Sequence, residues 1–168
     1  LSIFSSILGK FLILGKTLSK KIFSSIFSTI GPYFKSKKII NENLRIFKDN
    51  LSDRERDTIV SNMWKNYGKT FIEYIYLRFY RKNNSHIVIE GEEIIRDIIK
   101  KNKPVIFISG HFSNFELMSM EISKKNIKLA TIYRPLNNFF LNPLMEFLRR
   151  KYVCKNQIRK GFSGVRES

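Results

Sequence analysis

Apolar residues recur along the first thirty positions at Phe4, Leu8, Phe11, Leu18, Ile22, Ile26 and Ile30, filled in by Ile3, Ile7 and Leu14. That is helical spacing with one wide apolar face. Lys10, Lys16, Lys20 and Lys21 fall away from the centre of that face. The longest unbroken apolar run is Phe11 to Leu14, far short of the length a membrane span needs. The pattern predicts an amphipathic basic helix lying in a membrane interface; the plainer alternative is an ordinary core helix. Gly31-Pro32 ends it, and Lys35, Lys37 and Lys38 add charge just beyond. A short helix is predicted over 38–48. Ser52-Asp-Arg-Glu55 reads as a capping box opening a long helix to about Arg81. Its aromatic stripe, with Tyr67, Phe71 and Tyr74, suits a core.

After a loop at 83–85, His86 to Glu90 alternates like a strand. Residues 92–101 read as a helix with Ile94, Ile95, Ile98 and Ile99 inward. Pro104 precedes Val105-Ile-Phe-Ile-Ser109, whose length and β-branching predict a short strand buried on both faces. A helix follows from about Ser113 to Lys125, then a strand over 129–133. Asn138 to Tyr152 reads as a further helix, provided that Pro143 lies in its first turn. The predicted class is α/β: a helical N-terminal region followed by alternating strands and helices of a partly parallel sheet.

The chemistry centres on Gly110-His111-Phe112-Ser113-Asn114-Phe115-Glu116. His111 falls where the strand ends and a helix begins, the edge at which open α/β sheets place ligands. Five residues apart on one helix, His111 and Glu116 would point about 140° apart. With His111 ahead of the helix and Glu116 in its first turn, the loop can fold imidazole against carboxylate. Such a carboxylate fixes the tautomer and stabilises the imidazolium formed when His111 takes a proton. The competing reading is a capping box, with Glu116 reaching back only to the Ser113 amide.

Composition narrows the partners. Lys and Arg number 31 against 14 Asp and Glu, a formal net charge of +17, which calls for an anionic partner or surface. One cysteine, Cys154, excludes an internal disulfide and leaves no metal cluster. From Lys124 to Arg166 eleven Lys and Arg residues face a single acid, Glu146. Among them Arg134 follows the 129–133 strand and is expected at the same sheet edge as His111.

The His111-x4-Glu116 segment resembles the first motif of the lysophospholipid acyltransferase superfamily, in the form found in bacterial lipid A biosynthesis (lauroyl/myristoyl) acyltransferases. Trp64-Lys-Asn-Tyr-Gly-Lys-Thr-Phe-Ile-Glu-Tyr74 resembles the family's upstream helix, Tyr133-Arg-Pro-Leu-Asn-Asn138 its second motif, and Lys160-Gly-Phe-Ser-Gly-Val-Arg-Glu167 the start of its third. The resemblance implies a glycerol-3-phosphate acyltransferase-like fold. It implies transfer of a fatty acyl chain from acyl carrier protein to a hydroxyl of a lipid A precursor, at the cytoplasmic face of the bacterial inner membrane. His111 would be the general base and Glu116 its orienter. Arg134, Asn137, Lys160 and Arg166, with Asn138 beside them, would bind substrate. No metal or other cofactor is needed, and no nucleic acid partner is expected. Residues 1–38 would associate with the anionic membrane surface and 39–168 would form the N-terminal part of the acyltransferase domain. Because the chain begins with Leu1 and stops inside the third motif, it reads as C-terminally truncated. The alternatives are another membrane-associated glycerophospholipid or glycolipid acyltransferase, or a non-enzymatic basic module binding nucleic acid or membrane.

Overall fold

Ser52 opens the longest helix as its sequence predicts. Its Oγ accepts from the Glu55 amide at 3.3 Å, and Glu55 Oε2 accepts from the Ser52 amide at 2.9 Å. Two donors that every helix start leaves unpaired are thereby satisfied. The computed structural model describes residues 14–84, 87–138 and 140–161. It divides into two compact units, Leu1–Tyr76 and Leu77–Ser168.

The first unit is helical. Helix α1 (Lys16–Ile30) passes through a 3-10 turn (Gly31–Tyr33) to α2 (Lys37–Phe47), α3 (Asp53–Glu73) and a second 3-10 turn (Tyr74–Tyr76). Small residues let α1 and α3 approach closely. A β-carbon on Gly68 would collide with the Phe23 carbonyl, and one on Gly31 with the Trp64 ring. Phe23 and Phe27 set their rings 5.9 Å and 5.5 Å from that of Phe71. Ser19 is buried and accepts a hydrogen bond from the Tyr76 hydroxyl at 3.1 Å. The helix is thus docked by serines and phenylalanines. Leu14, Leu18, Ile26 and Ile30 remain between 41% and 47% exposed, so their stripe is not core. The part of the predicted amphipathic helix before residue 14 lies outside the described residues. Among the described residues no helix is long and apolar enough to cross a membrane.

The second unit contains α4 (Leu77–Lys82), α5 (Glu92–Lys101), α6 (Glu116–Lys124), β1 (Ala130–Tyr133), α7 (Leu141–Leu148), a π-helical turn (Arg149–Val153) and β2 (Asn156–Arg159). Strands β1 and β2 pair in parallel, Ala130 opposite Asn156 and Tyr133 opposite Arg159. Parallel neighbours need a crossover, and α7 with the π turn supplies it. Leu77, Tyr80, Met120, Ile122, Tyr133, Val153 and Cys154 are buried. The Arg81 guanidinium ties α4 to the rest, donating to Ser123 Oγ at 3.0 Å and to the Val153 carbonyl at 3.2 Å.

The chain is therefore a helix-rich α/β protein with a small parallel two-stranded sheet. Four expectations need correction. The long helix from Ser52 is interrupted at Tyr74–Tyr76 rather than continuous to Arg81. Residues 87–89 form no strand, and His86 lies outside the described residues. The apolar run after Pro104 is not a buried strand either: Ile106 is 88% and Ile108 93% exposed. Strand-forming side chains make a strand only where another strand completes the ladder, and among the described residues only β1 and β2 pair. Helix α5 fully buries none of its residues: Ile95 and Ile98 are half-buried, but Ile94 and Ile99 are exposed rather than inward as predicted. In the other direction, β2 was not expected, because Asn-Gln-Ile-Arg carries no alternating signature. Pro143 does sit in the first turn of α7, where a missing N–H is harmless.

Candidate active site

The loop leading to α6 turns sharply at Gly110, where the Phe112 amide donates to the Gly110 carbonyl at 3.0 Å. A side chain on Gly110 would meet the Phe112 ring. Ser113 takes a left-handed backbone, φ 49°, which a non-glycine residue adopts at some cost. Helix α6 begins at Glu116 with Phe115 before it and no side-chain cap. The capping-box reading of Ser113 and Glu116 is therefore overturned: the left-handed turn at Ser113 displaces its hydroxyl from the capping position.

His111 and Glu116 sit on either side of this turn in opposite environments. His111 is exposed, its imidazole stacked on the Phe115 ring at 4.1 Å between centroids and 15° between planes. Glu116 is buried, and its Oε1 accepts from Arg149 Nε at 2.6 Å. Arg149 is itself buried and lies over the Tyr133 ring, 5.8 Å from the centroid. The structure thus joins Glu116 to Arg149 and sets His111 on Phe115.

Arg149 was missed from sequence, where it is one cation among the eleven of the basic half. It opens the π turn, which the Cys154 amide closes onto the Arg149 carbonyl at 3.0 Å. One extra residue in the turn re-phases the chain that follows Arg149 toward β2. Such π insertions are rare and cluster at functional sites. No local sequence signal announces them.

The other candidates gather at the carboxyl end of the parallel pair. Arg134 leaves β1 directly after Tyr133, and Lys160 leaves β2 directly after Arg159, the register partner of Tyr133. The Lys160 amide donates to the Tyr133 carbonyl at 2.8 Å, extending the ladder to that edge. Both side chains are exposed, as is Asn137. Asn138 steers the chain into α7, its Oδ1 accepting from the Phe140 and Leu141 amides, each at 3.0 Å. Arg166 lies outside the described residues. Because the run ending at His111 joins no sheet, His111 does not share a strand edge with Arg134, as had been expected.

Beside the two cations, Arg159 donates to the Tyr133 hydroxyl at 3.1 Å and to both Glu146 oxygens at 3.2 Å. Burial raises the affinity of Glu146 for a proton, but hydrogen bonds from Tyr133, Asn142 and Arg159 outweigh it. Its carboxyl titrates below the ordinary range. Arg159 is held still more firmly protonated by Tyr133 and Glu146. The single acid of the basic half is therefore committed to bracing the strand ends. Among the described residues no group of three or more His, Cys, Asp or Glu side chains is arranged to hold a metal ion.

The site thus combines an accessible imidazole ahead of a buried carboxylate, on a helix-rich α/β scaffold, with exposed cations at the strand ends. The chain belongs to the family of bacterial lipid A biosynthesis acyltransferases, whose model matches residues 3–160. It is also similar to Lipid A biosynthesis acyltransferase 2 of Shigella flexneri, 24% identical over 120 residues. That match takes in 70% of this chain and 38% of the relative's length. The chain thus spans little more than a third of that relative's length. No solved structure matches this chain.

Proposed function

We propose that this chain contributes to a membrane-associated enzyme moving a fatty acyl chain from the thioester of acyl carrier protein to a hydroxyl of a lipid A precursor. The arrangement carrying this reading is the exposed His111 imidazole, five residues ahead of the buried, Arg149-held carboxylate of Glu116. The wider fold would be glycerol-3-phosphate acyltransferase-like, and the reaction would take place at the cytoplasmic face of the bacterial inner membrane.

In this mechanism His111 takes the proton of the acceptor hydroxyl as that oxygen attacks the thioester carbonyl carbon. The new C–O bond leaves a tetrahedral oxyanion, which needs donors placed where its charge develops. Its collapse breaks the C–S bond, and the imidazolium returns its proton to the departing thiolate. The products are an ester and a thiol. Glu116 stabilises the imidazolium once substrate draws the ring from Phe115, since catalytic hydrogen bonds commonly tighten only in the bound complex. Arg149 holds that carboxylate in place through its Nε hydrogen bond. Arg134, Asn137, Lys160 and Arg166 bind the anionic groups of the substrates, with guanidinium forks suited to phosphate. Residues 1–38 rest on the anionic membrane surface.

The test is a two-product assay with purified protein, a labelled acyl thioester of acyl carrier protein and a lipid A precursor. Equal amounts of free carrier thiol and acylated precursor are expected. Thiol release without acylated precursor would mark a thioesterase and overturn the reading.

A further inference from the structure

We infer that the groove between α1 and α3 is a binding site for the headgroup phosphate of an anionic membrane lipid. The groove has a volume of about 430 Å³ and is lined by Thr17, Lys20, Lys21, Ser24, Lys65 and Lys69, among others. Four ammonium groups therefore border one concave surface formed by two helices of the same unit. Glu73 pairs with one of them, its Oε1 2.5 Å from Lys20 Nζ. Lys21, Lys65 and Lys69 have no ion pair among the described residues.

Lys65 and Lys69 are four apart on α3 and share a face, so their charges repel across one helical turn. Lys21 adds a third charge from α1. Like charges gathered beside protein of low dielectric are relieved by an anion taken between them. The groove walls contribute hydroxyl donors from Thr17 and Ser24, and a phosphate has oxygens enough to accept from hydroxyls and ammonium groups together.

The neighbouring surface decides what carries the phosphate. Helix α1 exposes Leu18, Ile26 and Ile30, with Leu14 just ahead of it, and just beyond it Tyr33 and Phe34 are 88% and 79% exposed. A nucleic acid or a free anion gives those side chains nothing to enter. A bilayer surface presents phosphate and hydrocarbon side by side, and a helix with one apolar and one cationic flank lies along it. The groove then sets register: it fixes where along the helix a headgroup sits, which a diffuse basic surface does not. This inference concerns binding alone, and its failure would leave the acyl-transfer reading standing.

The experiment measures binding of the protein to vesicles of phosphatidylcholine with or without phosphatidylglycerol. It compares the wild type, a groove triple Lys21→Gln/Lys65→Gln/Lys69→Gln, and a control triple Lys35→Gln/Lys37→Gln/Lys38→Gln of equal charge change. At roughly fivefold per lysine, the groove triple is expected to weaken binding to anionic vesicles on the order of a hundredfold. The control should lose clearly less, and inorganic phosphate or duplex DNA at matched ionic strength should not displace the wild type. Equal losses in the two triples would reduce the effect to general charge and overturn the site. Displacement by inorganic phosphate would overturn the lipid as its source, and displacement by DNA would assign the groove to nucleic acid.

Discussion

Arg149 Nε stands 2.6 Å from Glu116 Oε1, with both side chains buried, across a separation of 33 residues. Breaking such a pair from one side strands a charge in a low-dielectric interior, at a cost of about 3–5 kcal/mol. Arg149→Met is therefore expected to lower the unfolding free energy by about that amount, read from the urea midpoint. Glu116→Gln should cost less, because an amide oxygen still accepts from Nε. A wild-type midpoint in Arg149→Met would show that the pair does not hold α6 to the π turn.

Close helix contact in the first unit gives a steric prediction. A β-carbon at Gly68 would meet the Phe23 carbonyl, which is backbone and has little room to yield. Gly68→Ala gains helix propensity but should still destabilise by roughly 1–3 kcal/mol through overpacking. Thermal unfolding checks this, and a stabilised variant would contradict the α1–α3 approach.

Glu146 makes stability depend on pH in a defined direction. Its carboxyl titrates lower in the folded protein than when unfolded. Its contribution is therefore present above the unfolded value and is lost as pH falls through the folded one. Unfolding free energies of wild type and Glu146→Gln should differ near neutrality and converge at the acid end of the carboxylate range. A constant difference down to that end would show that the Arg159–Glu146 brace does not stabilise the fold.

What was legible in the sequence was what depends on near neighbours. Ser52 and Glu55 announce the start of α3 because a cap is a contact over three residues. Helices α2 and α5 follow from local spacing, and β1 from a β-branched run. Features that depend on distant partners were not legible. β2 is a strand because β1 lies beside it, and the run from Val105 to Ser109 is not one because nothing described completes its ladder. The isoleucines of α5 have the spacing of a core face without full cover. At the candidate site the spacing placed His111 ahead of a helix and Glu116 in its first turn, as the structure has them, but the strand expected before His111 is absent. The Arg149 partner came only with the structure, because a contact across 33 residues leaves no local pattern.

Arg134 and Lys160 leave adjacent strands at one edge, and both should serve substrate binding rather than proton transfer. Arg134→Lys keeps the charge and loses the fork, so KM for the lipid acceptor is expected to rise several-fold with little change in kcat. Lys160→Gln should raise KM as well and flatten its dependence on salt. Steady-state kinetics at two ionic strengths separates these outcomes. A fall in kcat alone, at constant KM, would move Arg134 from binding to chemistry.

The central claim is that His111 is the general base. The most direct measurement is the pH dependence of acyl transfer in wild type and His111→Ala, at saturating acyl carrier protein thioester. General-base catalysis is worth about 10²–10⁴-fold, so His111→Ala should lose at least a hundredfold at neutral pH. Because hydroxide can replace the missing base, its residual rate should climb with pH where the wild-type rate has levelled off. Folding and vesicle binding should be unchanged, since His111 is exposed on a loop. A His111→Ala enzyme that transfers acyl chains at the wild-type rate with the wild-type pH profile would contradict the mechanism.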